Sequence, residues 1–575
     1  MPATPRFWRD TWSLIKPYWR SEEKFSAWLL LGAVIGLTLA MVYMSVLFNE
    51  WYNLFYNALQ EKNKAEFFHQ MQRFAMLAAI YIVMAVYAFY LNQMLQIRWR
   101  RWMTDRYLKR WLAERTYYRM QLTGHPADNP DQRIAEDFKL FVDDSLSLSL
   151  GLLNAVVTLA SFVGILWTLS GPLAIPYDGG EIVIPGYMVW VALVYAIAGS
   201  WLTHRIGRPL IGLNFNQQRY EADFRFGLVR FRENTEGVAL YNGENDELRN
   251  FSERFLNVVD NWWRIMKRQK ILNFFIIGYN QVAIIFPFLV AGPRYFSGAI
   301  QLGGLMQISN AFGQVQNALS WFIGAYTTFA SWRATSDRLL GFHYAIEQAK
   351  EDAHRTRGLA VSQDGEDELI VDGVALNLPS GQALLAPSDA SVRPGETVLI
   401  RGPSGSGKST LFRAIAGIWP FGAGRVRRPK NFNVLFLPQK PYLPIGTLRQ
   451  VVTYPRTGTD FEQEAILEVL NACGLGHLAE RLDQSRNWAL ELSPGEQQRI
   501  AFARALLIRP SWLFMDEATS ALDEALEDRL YRLLRERLPG TTIVSIGHRP
   551  ALQAFHSRKL ELREAGGGLR QLQPA

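Results

Sequence analysis

Apolar residues crowd the chain up to about residue 330 in six long runs, and beyond it they come in short bursts separated by polar turns. A helix rises about 1.5 Å per residue and the hydrocarbon layer is about 30 Å thick, so a crossing needs about 20 predominantly apolar positions. Residues 25–48 meet that length with 24 positions and no charge. The runs at 74–97, 146–169, 187–203, 271–292 and 302–330 follow, which predicts six transmembrane helices. The fourth is the shortest and the sixth the most polar. Packed helices of a large soluble protein are the competing explanation, and the chargeless first run argues against it.

The segments between the runs alternate in basic residues. Residues 98–144 carry ten Lys or Arg and residues 204–270 carry twelve, whereas 171–186 carry none and 293–301 only Arg294. Lys- and Arg-rich segments stay in the cytoplasm, so both termini are expected there. Ahead of the first run, Trp8, Trp12, Ile15 and Trp19 share one helical face, the pattern of a segment at 1–24 lying in the membrane interface or packed as an elbow. No cleavable leader is expected in that segment. The basic inside segments keep helical spacing, so the spans should extend beyond the bilayer, and a membrane region over 25–340 results.

Composition then changes two points. The net charge of +8 would admit a nucleic-acid partner, but its placement beside the spans assigns it to lipid headgroups, and no nucleic acid is expected. Cys473 is the single cysteine, so an intrachain disulfide is excluded.

A polar stretch at 341–367 reads as a linker, and 368–575 as a second domain of short strands and helices, an α/β unit. There ETVLIRG reads as a buried strand, GPSGSGKST as a loop and LFRAIAGI as a helix start. In that setting Gly402, Pro403, Ser404, Gly405, Ser406, Gly407, Lys408, Ser409 and Thr410 form a phosphate-binding loop for ATP. The glycines let backbone N–H groups turn toward phosphate oxygens, and the helix N-terminus adds partial positive charge. Lys408 reaches the β- and γ-phosphates, and the Ser409 hydroxyl suits Mg²⁺. A second strand, SWLFMDE, delivers Asp516 and Glu517 to its tip, the first for Mg²⁺ and the second to polarise the attacking water. A third, TTIVSIGH, ends at His548, placed to orient that water.

LSPGEQQRIAFARALL lies between the loop and the acidic strand, and the ordered set resembles ABC transporters. The resemblance covers about 210 C-terminal residues and implies further roles. Gln439 would follow its strand as a catalytic and Mg²⁺-binding glutamine. Ser493, Gly495 and Glu496 would form the signature, Ser520–Asp523 the loop that carries Asp523, and each ATP would lie between one subunit's phosphate loop and the partner's signature. With one set of motifs in one chain, a homodimer is the simplest complete machine. Two positions depart from the family pattern: Pro494 stands where a glycine is usual, and Leu378 where an aromatic ring usually stacks on adenine.

RENTEGVALYNGENDE at 232–247, AGPRYFSGAIQLGGLMQ at 291–307 and SWRATSDRL at 331–339 resemble a narrower group, the subfamily D transporters and their BacA/SbmA-like bacterial relatives. The implied fold is exporter-like: a polytopic helical membrane domain fused to a P-loop ABC ATPase domain. The implied activity is ATP hydrolysis that drives transport of a solute, with uptake of hydrophilic compounds, peptides or cobalamin as one reading, fatty acid or fatty acyl-CoA transport as another, and an ATP-gated channel as a third. Segment 232–247 would receive the motion of the nucleotide domain. Gln307, Asn310, Gln314 and Asn317 recur at steps of three, four and three, an amide stripe that must face either a wet translocation cavity or another helix. The last residues, LQPA, are no peroxisomal address, so a bacterial inner membrane is expected.

Overall fold

The computed structural model describes residues 5–122, 129–177, 180–355, 358–365, 367–566 and 568–575. It divides into a membrane unit, residues 1–110 and 127–344, and a nucleotide unit, residues 111–126 and 345–575.

The membrane unit begins with α1 (Pro5–Ile15), followed by α2 (Lys24–Gln60), α3 (Lys64–Leu112), α4 (Phe138–Ser170), α5 (Tyr187–Glu233), α6 (Glu244–Phe296) and α7 (Leu302–Arg355). Five of these, α2 to α6, are long and apolar enough to cross a membrane. The sixth run lies on α7, a continuous 54-residue helix whose amides dilute its apolar character below that threshold. A helix of 47 residues such as α5 is about 70 Å long, more than twice the hydrocarbon thickness, so the helices run far past any bilayer. Pro209 lies within α5 without ending it.

Between α4 and α5 the chain forms a hairpin of β1 (Pro172–Tyr177) and β2 (Gly180–Pro185), framed by Gly171 and Gly186 at φ of +59° and +60°. Arg294, the lone basic residue of its loop, caps α4: its Nη1 donates to the carbonyls of Leu169 and Ser170. That placement pairs a cation with the negative end of a helix. α1 turns Phe7, Thr11 and Leu14 inward and leaves Trp8 and Trp12 half exposed, with the Phe7 ring edge-on to Trp332.

In the nucleotide unit ten strands form one sheet among the described residues: β3 (Ala360–Gly365), β4 (Leu369–Asn377), β5 (Ala383–Val392), β6 (Thr397–Arg401), β7 (Gly422–Pro429), β8 (Val434–Leu437), β9 (Trp512–Asp516), β10 (Thr542–Ile546), β11 (Arg558–Gly566) and β12 (Leu569–Pro574). Their order is β3-β7-β4-β5-β12-β11-β6-β10-β9-β8. The run β8-β9-β10-β6 is parallel and nearly wholly apolar, as expected of strands covered on both faces. α8 (Lys408–Ile415), α9 (Pro494–Ile508) and α10 (Glu524–Arg537) complete the parts that bear on function.

Residues 111–126 group with this unit. Within them a short helix, Thr116–Leu122, follows Arg115, whose Nη1 donates to the Ala416 carbonyl beyond α8, and Leu122 packs on the core around Phe412 and Trp419. Segment 232–247 contains a separate short helix, Thr235–Tyr241, on which Leu240 and Tyr241 are largely exposed.

Candidate functional site

Parallel register decides what meets what. Asp516 pairs with Ile546, Ser545 with Leu399 and Met515 with Leu437, so β8, β9, β10 and β6 all end along one edge. Ligands of open α/β sheets bind at that carboxyl edge. Residues 402–407 leave β6 there and turn into α8 through Gly402, Gly405 and Gly407 at φ of +154°, +74° and +93°. A Cβ at Gly402 would lie 2.9 Å from Leu562 Cβ, so the tight passage beside β11 also demands glycine. Lys408 Nζ donates to the carbonyls of Gly402 and Pro403, 2.8 Å each, which folds the loop around the ammonium. Burial pulls its pKa below the ordinary lysine value, against the opposing pull of Glu517 and Asp516.

On β9, burial raises the Asp516 carboxyl above its usual range while the Ser409 hydroxyl bonds to it and pulls the other way. Glu517 follows in the left-handed region, φ 50°, and its N–H is anchored on the Ile546 carbonyl at 3.0 Å. A non-glycine residue held there costs of order 1 kcal/mol, and such strain clusters at functional sites. The turn aims the carboxylate at two partners. Gln439 Nε2 donates to Glu517 Oε2 at 3.2 Å, and His548 Nε2 lies 3.3 Å from Glu517 Oε1. Gln439, Glu517 and His548 thus form one cluster although 78 positions separate the first two.

The signature is self-contained. Ser493 caps α9: its Oγ donates to Glu496 Oε2 at 2.8 Å, its N–H donates to the same oxygen at 2.9 Å, and Glu496 N–H returns to Ser493 Oγ at 3.3 Å. Burial works to raise the Glu496 pKa, but the bonds from Ser493 and from His477, 2.9 Å away, outweigh it and hold the carboxyl below the usual range. Pro494 occupies the first helical position, where an N–H has no intrahelical acceptor in any case. Its loss of a donor therefore costs the helix nothing. Among the described residues no hydrogen bond joins 493–496 to the phosphate loop. Asp523 caps α10 through the Leu526 N–H at 2.8 Å. Leu378 sits in a tight turn closed by Gly381 N–H on its carbonyl, 2.9 Å.

One linking residue was missed in the motif reading. Gln498 of α9 donates to the Gln439 carbonyl and to Ser520 Oγ and accepts the Ala521 N–H, 3.0 Å each, so it ties α9 to the segment that carries Gln439 and to the one that follows Glu517. Its only sequence signal is a glutamine on a helical face that otherwise packs Ile500, Ala501 and Phe502.

The site fits a nucleotide and its metal on its own chemistry. Ser406 Oγ is buried and unpartnered at the mouth of the loop, a donor awaiting an acceptor, and Ser409 and Asp516 offer the hard oxygens that Mg²⁺ prefers.

In the membrane unit the amide stripe splits. Asn49 Nδ2 of α2 donates to the Gln307 carbonyl and to Asn310 Oδ1, 3.0 Å each, and Asn53 Nδ2 donates to Gln307 Oε1 at 2.7 Å. Gln314 is half-buried and Asn317 exposed, and neither is hydrogen-bonded among the described residues.

Comparison with known proteins follows the same division. The family model described as ABC transporter transmembrane region 2 matches residues 14–296, and that described as ABC transporter matches residues 385–520. The chain is 36% identical to the inner membrane ABC transporter ATP-binding protein YddA of Escherichia coli (strain K12), over 94% of each chain. It is 29% identical to the lysosomal cobalamin transporter ABCD4 of Mus musculus, over 83% of this chain and 81% of that one. A bacterial Atm1-family ABC exporter with ATP bound superposes with a TM-score of 0.67 over 93% of both chains at 19% identity, which shows the fold. ATP hydrolysis coupled to transport is the activity of this architecture, and the chain belongs to the ABC transporters as a half-transporter of subfamily D type, a membrane region fused to an ATP-binding domain.

Proposed function

We propose that two copies of this chain form a homodimer that uses ATP to take up hydrophilic compounds or peptides across a bacterial inner membrane, with the N-terminus and nucleotide domain in the cytoplasm. The observation that carries the catalytic reading is the cluster of Gln439, Glu517 and His548 at the sheet edge beside the loop. Lys408 and the loop N–H groups from Gly402 to Thr410 receive the phosphates. Ser409, Gln439 and Asp516 would hold Mg²⁺, which when bound neutralises charge on the β- and γ-phosphate oxygens. Glu517 accepts a proton from the attacking water and His548 orients it, with the Gln439 amide fixing the carboxylate between them. Ser493, Gly495 and Glu496 serve the ATP held by the partner, consistent with a signature unbonded to its own loop, and Asp523 fixes the adjoining helix start.

For the cargo, the exposed half of the amide stripe supports a wet path, because an unpaired amide in hydrocarbon costs several kcal/mol. The cobalamin transporter among the relatives supports a hydrophilic solute. Uptake of labelled cobalamin and of short peptides into proteoliposomes tests both parts, with Glu517→Gln as the hydrolysis-deficient control. ATP-dependent uptake that stops in Glu517→Gln is expected; accumulation at the wild-type rate in that variant would refute coupling and favour a channel.

A further inference from the structure

The cluster of Gln439, Glu517 and His548 lies at the ends of β8, β9 and β10, on one side of β6 in the order β5-β12-β11-β6-β10-β9-β8. A nucleotide whose γ-phosphate meets that cluster, with its other phosphates on the loop after β6, carries its nucleoside toward the opposite side, over β11, β12 and β5. Register brings the starts of β12 and β5 to that same edge. Glu561 of β11 pairs in parallel with Arg401 of β6, β12 returns antiparallel to β11, and Arg570 stands opposite Leu385 of β5. Alternation along a strand puts Arg570 on the face of Leu572, and both Leu572 and Leu385 pack in the core with Leu411 and Phe412 of α8. Arg570 therefore emerges on the α8 face, at the edge where the phosphate loop lies. Its charge is felt there: burial is the main cause of the lowered Lys408 pKa, and Arg570 adds to it.

The Arg570 guanidinium is half-buried and, among the described residues, makes no ion pair or hydrogen bond. Glu564, across from it on β11, is exposed and forms no ion pair with it, whereas the neighbouring Arg563 is held by Glu561 at 2.9 Å. The surface beside Arg570 is apolar. A Cβ at Gly407 would lie 3.3 Å from Leu384 Cγ, so that leucine rests on the phosphate loop, and Leu378 stands before it in a turn that offers no ring. A planar guanidinium stacks on an aromatic face, which the point charge of a lysine does less well. We infer that Arg570 lies over the adenine of the bound nucleotide and, with Leu384 beside it, supplies the base contact that Leu378 does not. This rests on the reading of Gln439, Glu517 and His548 as the γ-phosphate end of the site.

The test is calorimetric titration of the full-length protein in phosphatidylcholine nanodiscs with ATP and with inorganic tripolyphosphate, which has no base, in EDTA so that nothing is hydrolysed. Arg570→Ala and Arg570→Lys should each weaken ATP about fivefold and leave tripolyphosphate unchanged, and Arg563→Gln on the same hairpin should change neither. Unchanged tripolyphosphate binding also shows that the variants keep their fold. ATP affinity within twofold of wild type in Arg570→Ala would overturn the assignment. So would ATP affinity restored by Arg570→Lys, or a parallel loss of ATP and tripolyphosphate, since either result places the guanidinium on a phosphate instead of the base. Failure of the γ-phosphate reading is distinguishable: it appears as hydrolysis at the wild-type rate in Glu517→Gln, with the effect of Arg570 on ATP binding intact.

Discussion

Replacing Gln498 by Met keeps the side-chain length and removes every polar contact it makes. Three hydrogen bonds are lost, to the Gln439 carbonyl, Ser520 Oγ and the Ala521 N–H, and the residue is only 3% exposed. Each neutral bond contributes about 1 kcal/mol net, and the Ala521 N–H left without its acceptor adds a desolvation cost of about 1–3 kcal/mol. Water reaching the gap would offset part of this, so a loss of about 3 kcal/mol is expected, local to the junction of α9 with the segments after β8 and β9. Every 1.4 kcal/mol is tenfold in an equilibrium, which makes this about a hundredfold in local opening. Hydrogen–deuterium exchange of a peptide covering 517–523 should therefore show the Ala521 amide exchanging about a hundredfold faster in Gln498→Met, with the strands β6 and β10 unchanged. The ATPase should lose kcat more than it gains KM, because the Gln439 backbone that aims its amide at Glu517 is unbraced while the phosphate loop is untouched. Exchange at Ala521 within threefold of wild type would refute the assignment of Gln498 as the brace.

Other expectations follow from single contacts. Cys473 is fully buried and its thiol is pushed up to about 12 by that burial, so at pH 8 only about one molecule in 10⁴ carries a thiolate. Maleimide should label it on denaturation and not in the folded protein, and rapid stoichiometric labelling of native protein would contradict the packing. His556 donates from Nδ1 to the Leu552 carbonyl at 2.7 Å, leaving Nε2 to accept from Ser545 Oγ at 2.8 Å, and burial lowers its pKa. The folded state thus prefers the neutral ring. Its contribution is complete above the unfolded value of about 6.5 and declines as pH falls from there toward the folded pKa. Thermal unfolding midpoints should drop as pH falls below about 6.5 in wild type, with a flatter profile in His556→Gln; parallel profiles would rule the histidine out. Asn49→Leu severs the bonds to Gln307 and Asn310, and at about 0.6 kcal/mol for a typical interhelical bond in membranes it should lower stability by about 1 kcal/mol. No measurable change in denaturant resistance would place those amides against water instead.

That the candidate residues would gather was legible in sequence because each motif is local: a strand, then a loop or acid at its tip, with only the strand order to be added. Parallel pairing of β8, β9, β10 and β6 supplied that order. Gln498 escaped because its partners are two backbone groups and a serine from distant segments, and nothing in a helical glutamine announces them. The hairpin β1–β2 escaped for a related reason: sixteen residues between two spans were read by their lack of Lys and Arg, while the strands depend on pairing framed by Gly171 and Gly186. The amide stripe shows the limit of periodicity. Spacing put Gln307, Asn310, Gln314 and Asn317 on one face, but the helix opposite decides their fate, and α2 supplies asparagines only at the level of the first two. Likewise α7 runs to Arg355, through much of the stretch expected to be linker, because that polar sequence still favours helix.

The capped Ser493 bears on how tightly two copies would clasp. Its hydroxyl is already spent on Glu496, so in the proposed dimer meeting a phosphate from the other subunit would exchange one anionic acceptor for another and add little net attraction. A contact of that kind reports the presence of the γ-phosphate without gluing the halves together. In the proposed homodimer, two subunits joined through it would separate readily once that phosphate is gone, which is what a motor that must reset on every cycle requires.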